Sequence, residues 1–163
     1  MNNIYLIGMP GCGKSTIGAE ISRRLNRIFM DLDTFIETQE DTTIPAIFAH
    51  GEACFRDLES KYLRQISTNC GMVIATGGGI VLRQENVAVM RQSGRIVFID
   101  TAPEQLIANS PLSGRPLIGD DKSRVFALYE QRYDLYCAAA DIRAENNGSL
   151  EDIVTRVLDI CSD

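Results

Sequence analysis

The chain has 163 residues, 45% hydrophobic and 23% charged, with a net charge of −6 at pH 7. That length is one domain able to bury a core without metal or disulfide support, and an acidic balance without any Lys/Arg run excludes a concentrated basic footprint for nucleic acid. Five scattered cysteines (Cys12, Cys54, Cys70, Cys137, Cys161) include no C-x-x-C pair, which excludes a disulfide framework and a thiolate zinc site and predicts a reducing, cytoplasmic setting.

The single histidine, His50, cannot build a multi-His metal site. It precedes Gly51 at a predicted helix end, where it reads as a capping or surface residue. The first residues lack the positive region of a signal peptide, and no apolar run approaches the ~20 residues of a membrane span.

In chain order, "IYLIG" (4–8) predicts the first strand. It runs into Gly8-Met9-Pro10-Gly11-Cys12-Gly13-Lys14-Ser15, which matches G-x-x-x-x-G-K-[ST] at every fixed position. Glycines let the backbone curl so that N–H groups converge on phosphate oxygens, and the following helix (15–26) turns its positive end to the same anion. Gly11, Cys12, Gly13, Lys14, Ser15 and Thr16 are therefore the candidate nucleotide-binding residues, with Lys14 reaching the β- and γ-phosphates and Ser15 helping to hold Mg²⁺.

A second strand is predicted at "IFMDLD" (28–33). A phosphate-loop enzyme needs a carboxylate near Mg²⁺ at a strand end, and the candidates are Asp31, Asp33 and Asp100. Asp31 and Asp33 are two apart, so an extended chain would aim them the same way, which is costly unless a cation or substrate groups take up the charge. Asp100 closes the strand at 95–100 but precedes Thr101-Ala102-Pro103-Glu104, which reads as a helix start with Thr101 as cap.

Helical spacing of Phe55, Leu58, Tyr62, Leu63 and Ile66 predicts a helix over 52–68, with Arg56 near its start and Glu59 three residues on, able to hold that arginine. "MVIAT" (72–76) predicts a buried strand running into Gly77-Gly78-Gly79, where backbone can approach a ligand closely. The segment 109–124 carries prolines, glycines, Arg115 and Arg124 without helical periodicity, and reads as a lid over phosphates. "QRYDLY" places Arg132 on a late helix, and a weaker strand is expected at 141–145. Apolar strands alternating with helices imply a parallel sheet covered on both faces.

The phosphate loop with small size, no guanine-reading N-K-x-D and no Asp-Glu strand end favours a small kinase over a switch or a motor. Two arginines, an Asp pair and glycine amides suit a small, polyhydroxylated, anionic acceptor. The ordered set "GMPGCGKSTIG", "DLD", "GEACFRDLE", "TGGG", "GRPLI" and "QRYDLY" resembles shikimate kinase from residue 4 to about 140.

That resemblance implies an α/β fold, three-layer αβα with a five-stranded parallel sheet, of the P-loop NTPase, nucleoside monophosphate kinase-like type. It implies a single kinase domain over 1–163, with the phosphate loop at 8–16, a shikimate-binding region about 33–61 and the lid about 109–124. The implied reaction moves the γ-phosphoryl of ATP to the 3-hydroxyl of shikimate with Mg²⁺, on the route to chorismate and the aromatic amino acids. By motif, Lys14, Asp33 and Arg115 are catalytic, Ser15 and Asp31 hold the metal, and Asp33, Arg56, Arg132, Gly77, Gly78 and Gly79 bind the acceptor. A monomer without nucleic-acid or membrane partners is expected. Related kinases of gluconate or quinate, and a silent ATP-binding regulatory protein, are the alternatives. Two departures stand out: Asp134 where the family usually has proline, and Ala108-Asn109 where many relatives have an arginine against adenine.

Overall fold

The computed structural model describes residues 2–109 and 122–161. Five strands form one parallel sheet in the order β2-β3-β1-β4-β5, with β1 Asn3–Ile7, β2 Ile28–Asp31, β3 Met72–Ala75, β4 Gly94–Asp100 and β5 Ile142–Glu145. Every residue of β1 and β3 is buried, as a strand covered on both faces requires. The expected sheet is thus present, with boundaries shifted by a residue or two.

The helices are α1 Lys14–Leu25, α2 Leu32–Glu40, α3 Ile44–Phe48, α4 Glu52–Ile66, α5 Gln84–Ser93, α6 Pro103–Asn109, α7 Lys122–Ala139 and α8 Leu150–Cys161. α1 and α8 pack on each other and on the sheet, while α5 and α7 reach β4 and α4 gathers α2, α3 and α5. Gly18 lets α1 lie close to the sheet, since a Cβ there would meet the Phe29 ring at 2.6 Å and Leu6 at 3.1 Å.

The predicted strand at 28–33 is corrected: β2 stops at Asp31, because the Asp31 carboxylate accepts the Thr34 N–H at 3.1 Å and caps α2. Asp33 therefore sits in the first helical turn, and strand alternation is not what brings it near Asp31. Thr101 does not cap α6; Ala102 accepts the first helical N–H groups, and the Thr101 hydroxyl instead receives Asn146 Nδ2 at 3.0 Å. Within the expected lid, Asn109 ends α6 and 122–124 begin α7, while 110–121, with Arg115, lie outside the described residues. His50 is exposed in the turn between α3 and α4, and Gly51 takes φ 108° there, a left-handed value that favours glycine.

Candidate active site

The C-terminal ends of β1, β2 and β3 open into a cavity of about 470 Å³. Its floor is the phosphate loop. Gly8, Gly11 and Gly13 take φ of 146°, 80° and 90°, turning the chain between β1 and α1. Lys14 is buried in the loop, its Nζ donating to the Gly8 and Met9 carbonyls, each at 2.9 Å. The third of its three donors meets Cys12 Sγ at 3.7 Å, a weak acceptor that a phosphate oxygen can displace. Gly11, Gly13, Lys14, Ser15 and Thr16 line the cavity, whereas Cys12 is buried behind the loop and borders a second cavity.

Ser15 Oγ is hydrogen-bonded to Asp31 Oδ2 at the cavity wall. A hydroxyl and a carboxylate side by side are hard oxygen donors of the kind Mg²⁺ takes while keeping water and phosphate ligands. Among the described residues there is no group of three or more His, Cys, Asp or Glu that could hold a metal. Asp100, the third candidate, is used differently. It is buried at the end of β4, where Arg143 Nε and Nη2 donate to its Oδ2 at 2.8 and 2.7 Å and the Tyr129 hydroxyl donates to Oδ1 at 3.1 Å.

The opposite wall carries the acceptor candidates. Arg56 and Arg132 are both buried and both line the cavity, one from α4 and one from α7. Arg56 Nη1 donates to Glu59 at 2.8 Å, and its Nη2 to Glu52 at 3.2 Å. Arg132 Nε and Nη1 are buried without a hydrogen-bond partner, as are Asp33 Oδ1 and Glu59 Oε1. Buried polar atoms are nearly always satisfied, so four orphans around one cavity mark where a polar ligand belongs.

The three glycines at 77–79 make room for these side chains. A Cβ on Gly77 would lie 2.6 Å from Glu59 Oε1 and 3.1 Å from Asp33 Oδ1, one on Gly78 would meet Pro10 at 2.7 Å, and one on Gly79 would meet the Arg56 guanidinium at 2.3 Å. None has a positive φ, so glycine is needed here for space rather than for a turn.

Burial pushes the Asp33 carboxyl up to about 6, helped by the negative charges of Glu59 and Asp31 and opposed by Lys14 and Arg56. Burial likewise raises Glu59, against the pull of Arg56. A carboxylate that titrates near neutrality beside a row of cations is suited to accept a proton from a hydroxyl.

Ile44, Phe48 and Phe55 supply an apolar wall that sequence reading left out. α3 was legible in principle, since Thr43 caps it, accepting Ala46 N–H at 3.4 Å, with Pro45 in its first turn. Asp134 is exposed on α7 and absent from the cavity wall, so its charge faces away from Arg132. Behind the phosphate loop a second cavity of about 260 Å³ is bordered by Thr101, Gln105, Asn109 and Asn146. Asn146 Nδ2 ties it to the loop by donating to the Cys12 carbonyl at 3.1 Å.

The family model described as shikimate kinase matches residues 10–162. The chain is 40% identical over 162 residues to the shikimate kinase of Clostridium beijerinckii, covering 99% of this chain and 96% of that one. It is 41% identical over 156 residues to the shikimate kinase of Clostridium botulinum strain Alaska E43, covering 96% and 94%. Among solved structures, the shikimate kinase from Acinetobacter baumannii in complex with shikimate superposes with a TM-score of 0.94 at 32% identity, covering 99% of this chain and 93% of that one. That of Aquifex aeolicus superposes with a TM-score of 0.86 at 36% identity, covering 98% and 96%. Agreement in fold and in sequence over nearly the whole chain leads to one conclusion: this chain belongs to the shikimate kinase family.

Proposed function

We propose that this protein transfers the γ-phosphoryl group of ATP to the 3-hydroxyl of shikimate, giving shikimate 3-phosphate and ADP. The observation that carries the reading is one cavity with the phosphate loop on one side, two buried guanidinium groups on the other, and Asp33 between carboxylate neighbours at its wall. The acceptor's carboxylate pairs with Arg56 and Arg132, and the Arg132 Nε and Nη1 that lack protein partners are donors open to a polar ligand. Its ring lies against Ile44, Phe48 and Phe55, and the backbone of Gly77, Gly78 and Gly79 meets its hydroxyls.

Asp33 accepts the proton of the 3-hydroxyl as the oxygen forms a bond to the γ-phosphorus. The bond from that phosphorus to the bridging oxygen breaks, and the bridging oxygen leaves with ADP. Lys14 and the loop amides stabilise the charge that spreads over the phosphate oxygens. Ser15 and Asp31 would hold Mg²⁺, which would supply charge neutralisation for the phosphates. Arg115 takes the corresponding place over the phosphate by motif resemblance alone. The adenine base fits the second cavity, where Asn109 and Gln105 stand in for the arginine many relatives carry.

The whole chain acts as one kinase domain, with 33–61 and the glycine loop serving the acceptor. Among the described residues no helix is long and apolar enough to cross a membrane. Exposed free thiols at Cys54, Cys70 and Cys137 favour a reducing cytoplasm, and we take the protein to be a monomer in the aromatic amino acid route.

The test is ADP release from Mg-ATP with shikimate, beside quinate, gluconate and a control without acceptor. Turnover with shikimate alone supports the assignment. Turnover with another acid would move the assignment to that acid, and no acceptor-dependent turnover with ATP still bound would favour a silent nucleotide-binding protein.

A further inference from the structure

Arg56 is held in place by its own helix, and Arg132 is not. Glu52 and Glu59 lie four residues before and three residues after Arg56 on α4, spacings that put side chains on one helix face. A single Glu52 oxygen, Oε1, accepts from Arg56 Nε at 3.3 Å and from Nη2 at 3.2 Å, while Glu59 Oε2 accepts from Nη1 at 2.8 Å. Arg132 Nε and Nη1, by contrast, are buried without a partner.

An arginine carries five N–H donors. Among the described residues these contacts engage one donor on each Arg56 nitrogen, which leaves one N–H on Nη1 and one on Nη2 for a ligand carboxylate. Arg56 borders the cavity and Glu52 does not, so the Nε–Nη2 edge is gripped from outside the ligand space. Glu59 is fully buried, whereas the Glu52 side chain is 49% exposed. An ion pair with so exposed a partner adds little stability, so the consequence of the Glu52 contact lies in the rotation it imposes on the guanidinium.

We propose that Glu52 is a positioning residue for acceptor recognition: by occupying the Nε–Nη2 edge of Arg56 it turns the two terminal nitrogens toward the acceptor's carboxylate. The inference rests on the proposed pairing of Arg56 with that carboxylate. It gives Glu52 no contact with substrate and no part in proton transfer. The property that counts is an acceptor oxygen at the right reach, not its charge.

The experiment measures kcat and the KM values for shikimate and ATP in wild type, Glu52→Ala, Glu52→Asp, Glu52→Gln, Arg56→Met and the double variant Glu52→Ala/Arg56→Met. A melting curve for each sets an assay temperature at which the least stable is folded. Glutamine keeps the oxygen at the same reach without the charge, and aspartate keeps the charge one methylene short. Alanine and aspartate should each raise the KM for shikimate about threefold to fivefold, the scale of a partly exposed ion pair, with kcat and the KM for ATP unchanged. Glutamine should recover most of that loss. In the Arg56→Met background Glu52→Ala should add little, since residues in contact are not additive.

A lower KM for shikimate in Glu52→Ala would mean that Glu52 competes with the acceptor for Arg56, and would overturn the inference. A loss in Glu52→Gln but not in Glu52→Asp would overturn it too, since charge rather than reach would then matter. An unchanged KM in Glu52→Ala beside a raised KM in Arg56→Met would overturn it while leaving the carboxylate pairing intact. A wild-type KM in Arg56→Met would overturn the pairing itself, and this inference with it.

Discussion

Asp33 should cost the protein stability while it supplies chemistry, and the two effects separate on a pH axis. The perturbation is Asp33→Asn. Burial, with Glu59 and Asp31 close by, raises the carboxyl from an ordinary value of 3.8 to about 6. An unfolded chain therefore releases this proton near pH 4, while the folded chain keeps it until about pH 6. Between those values the unfolded state gains stability from ionising and the folded state does not, so stability falls as pH rises and then stays at the lower level. The rise corresponds to a loss of about 3 kcal/mol.

Asparagine at 33 does not titrate, so this pH-dependent loss disappears. Whatever constant penalty or gain the amide brings, the stability of the variant relative to wild type should increase by about 2.4 kcal/mol between pH 4 and pH 7, since the unfolded carboxyl is already partly ionised at pH 4. Urea denaturation at steps across that range reads the difference directly. Turnover should fall by at least ~10²-fold in the same variant, the scale for losing an acid–base group. In wild type, kcat/KM for shikimate should lose activity as pH drops below about 6. A stability difference that is flat with pH would refute the buried-carboxylate account, and turnover close to wild type would refute the role as base.

Gly79→Ala puts a methyl group 2.3 Å from the Arg56 guanidinium, which must leave its pair with Glu59; the KM for shikimate should rise about tenfold or more with the KM for ATP unchanged, by steady-state kinetics. Unchanged kinetics would mean that Arg56 can bind the acceptor from a shifted position. Arg132→Ala should raise the KM for shikimate about 10- to 100-fold with a smaller effect on kcat, because a charge-assisted pair is lost from binding. Asp100→Asn, which breaks the buried contacts to Arg143 and Tyr129, should lower stability by about 1–3 kcal/mol while keeping turnover, measured by denaturation and assay together. A loss of Mg²⁺-dependent activity in that variant would instead assign Asp100 to the metal.

The phosphate loop and the parallel α/β sheet could be read from the chain, because both are local. A glycine pattern between a strand and a helix needs only its neighbours to curl around an anion, and alternating apolar strands and helices leave one way to bury both faces of a sheet. The pair of arginines was legible as residues in motifs, though nothing in the chain measures the distance between α4 and α7. Asp31 and Asp33 were recognised for a reason that the fold revises: a cap at Asp31 ends the strand, so helix geometry brings the second carboxylate to the cavity. Short-range propensity could not decide that boundary, since "MDLD" is compatible with either state until Thr34 donates to Asp31.

What only the tertiary structure decided are the contacts between residues far apart in the chain. Glu59 sharing the space at Gly77 with Asp33, Tyr136 meeting Gly78, and Asp100 being taken by Arg143 all depend on how the sheet and its helices pack. Such contacts set which charges are buried together, and therefore which carboxyl is held near neutrality. Sequence carries the residue types, but the field acting on each is a sum over neighbours that exist only once the chain has folded.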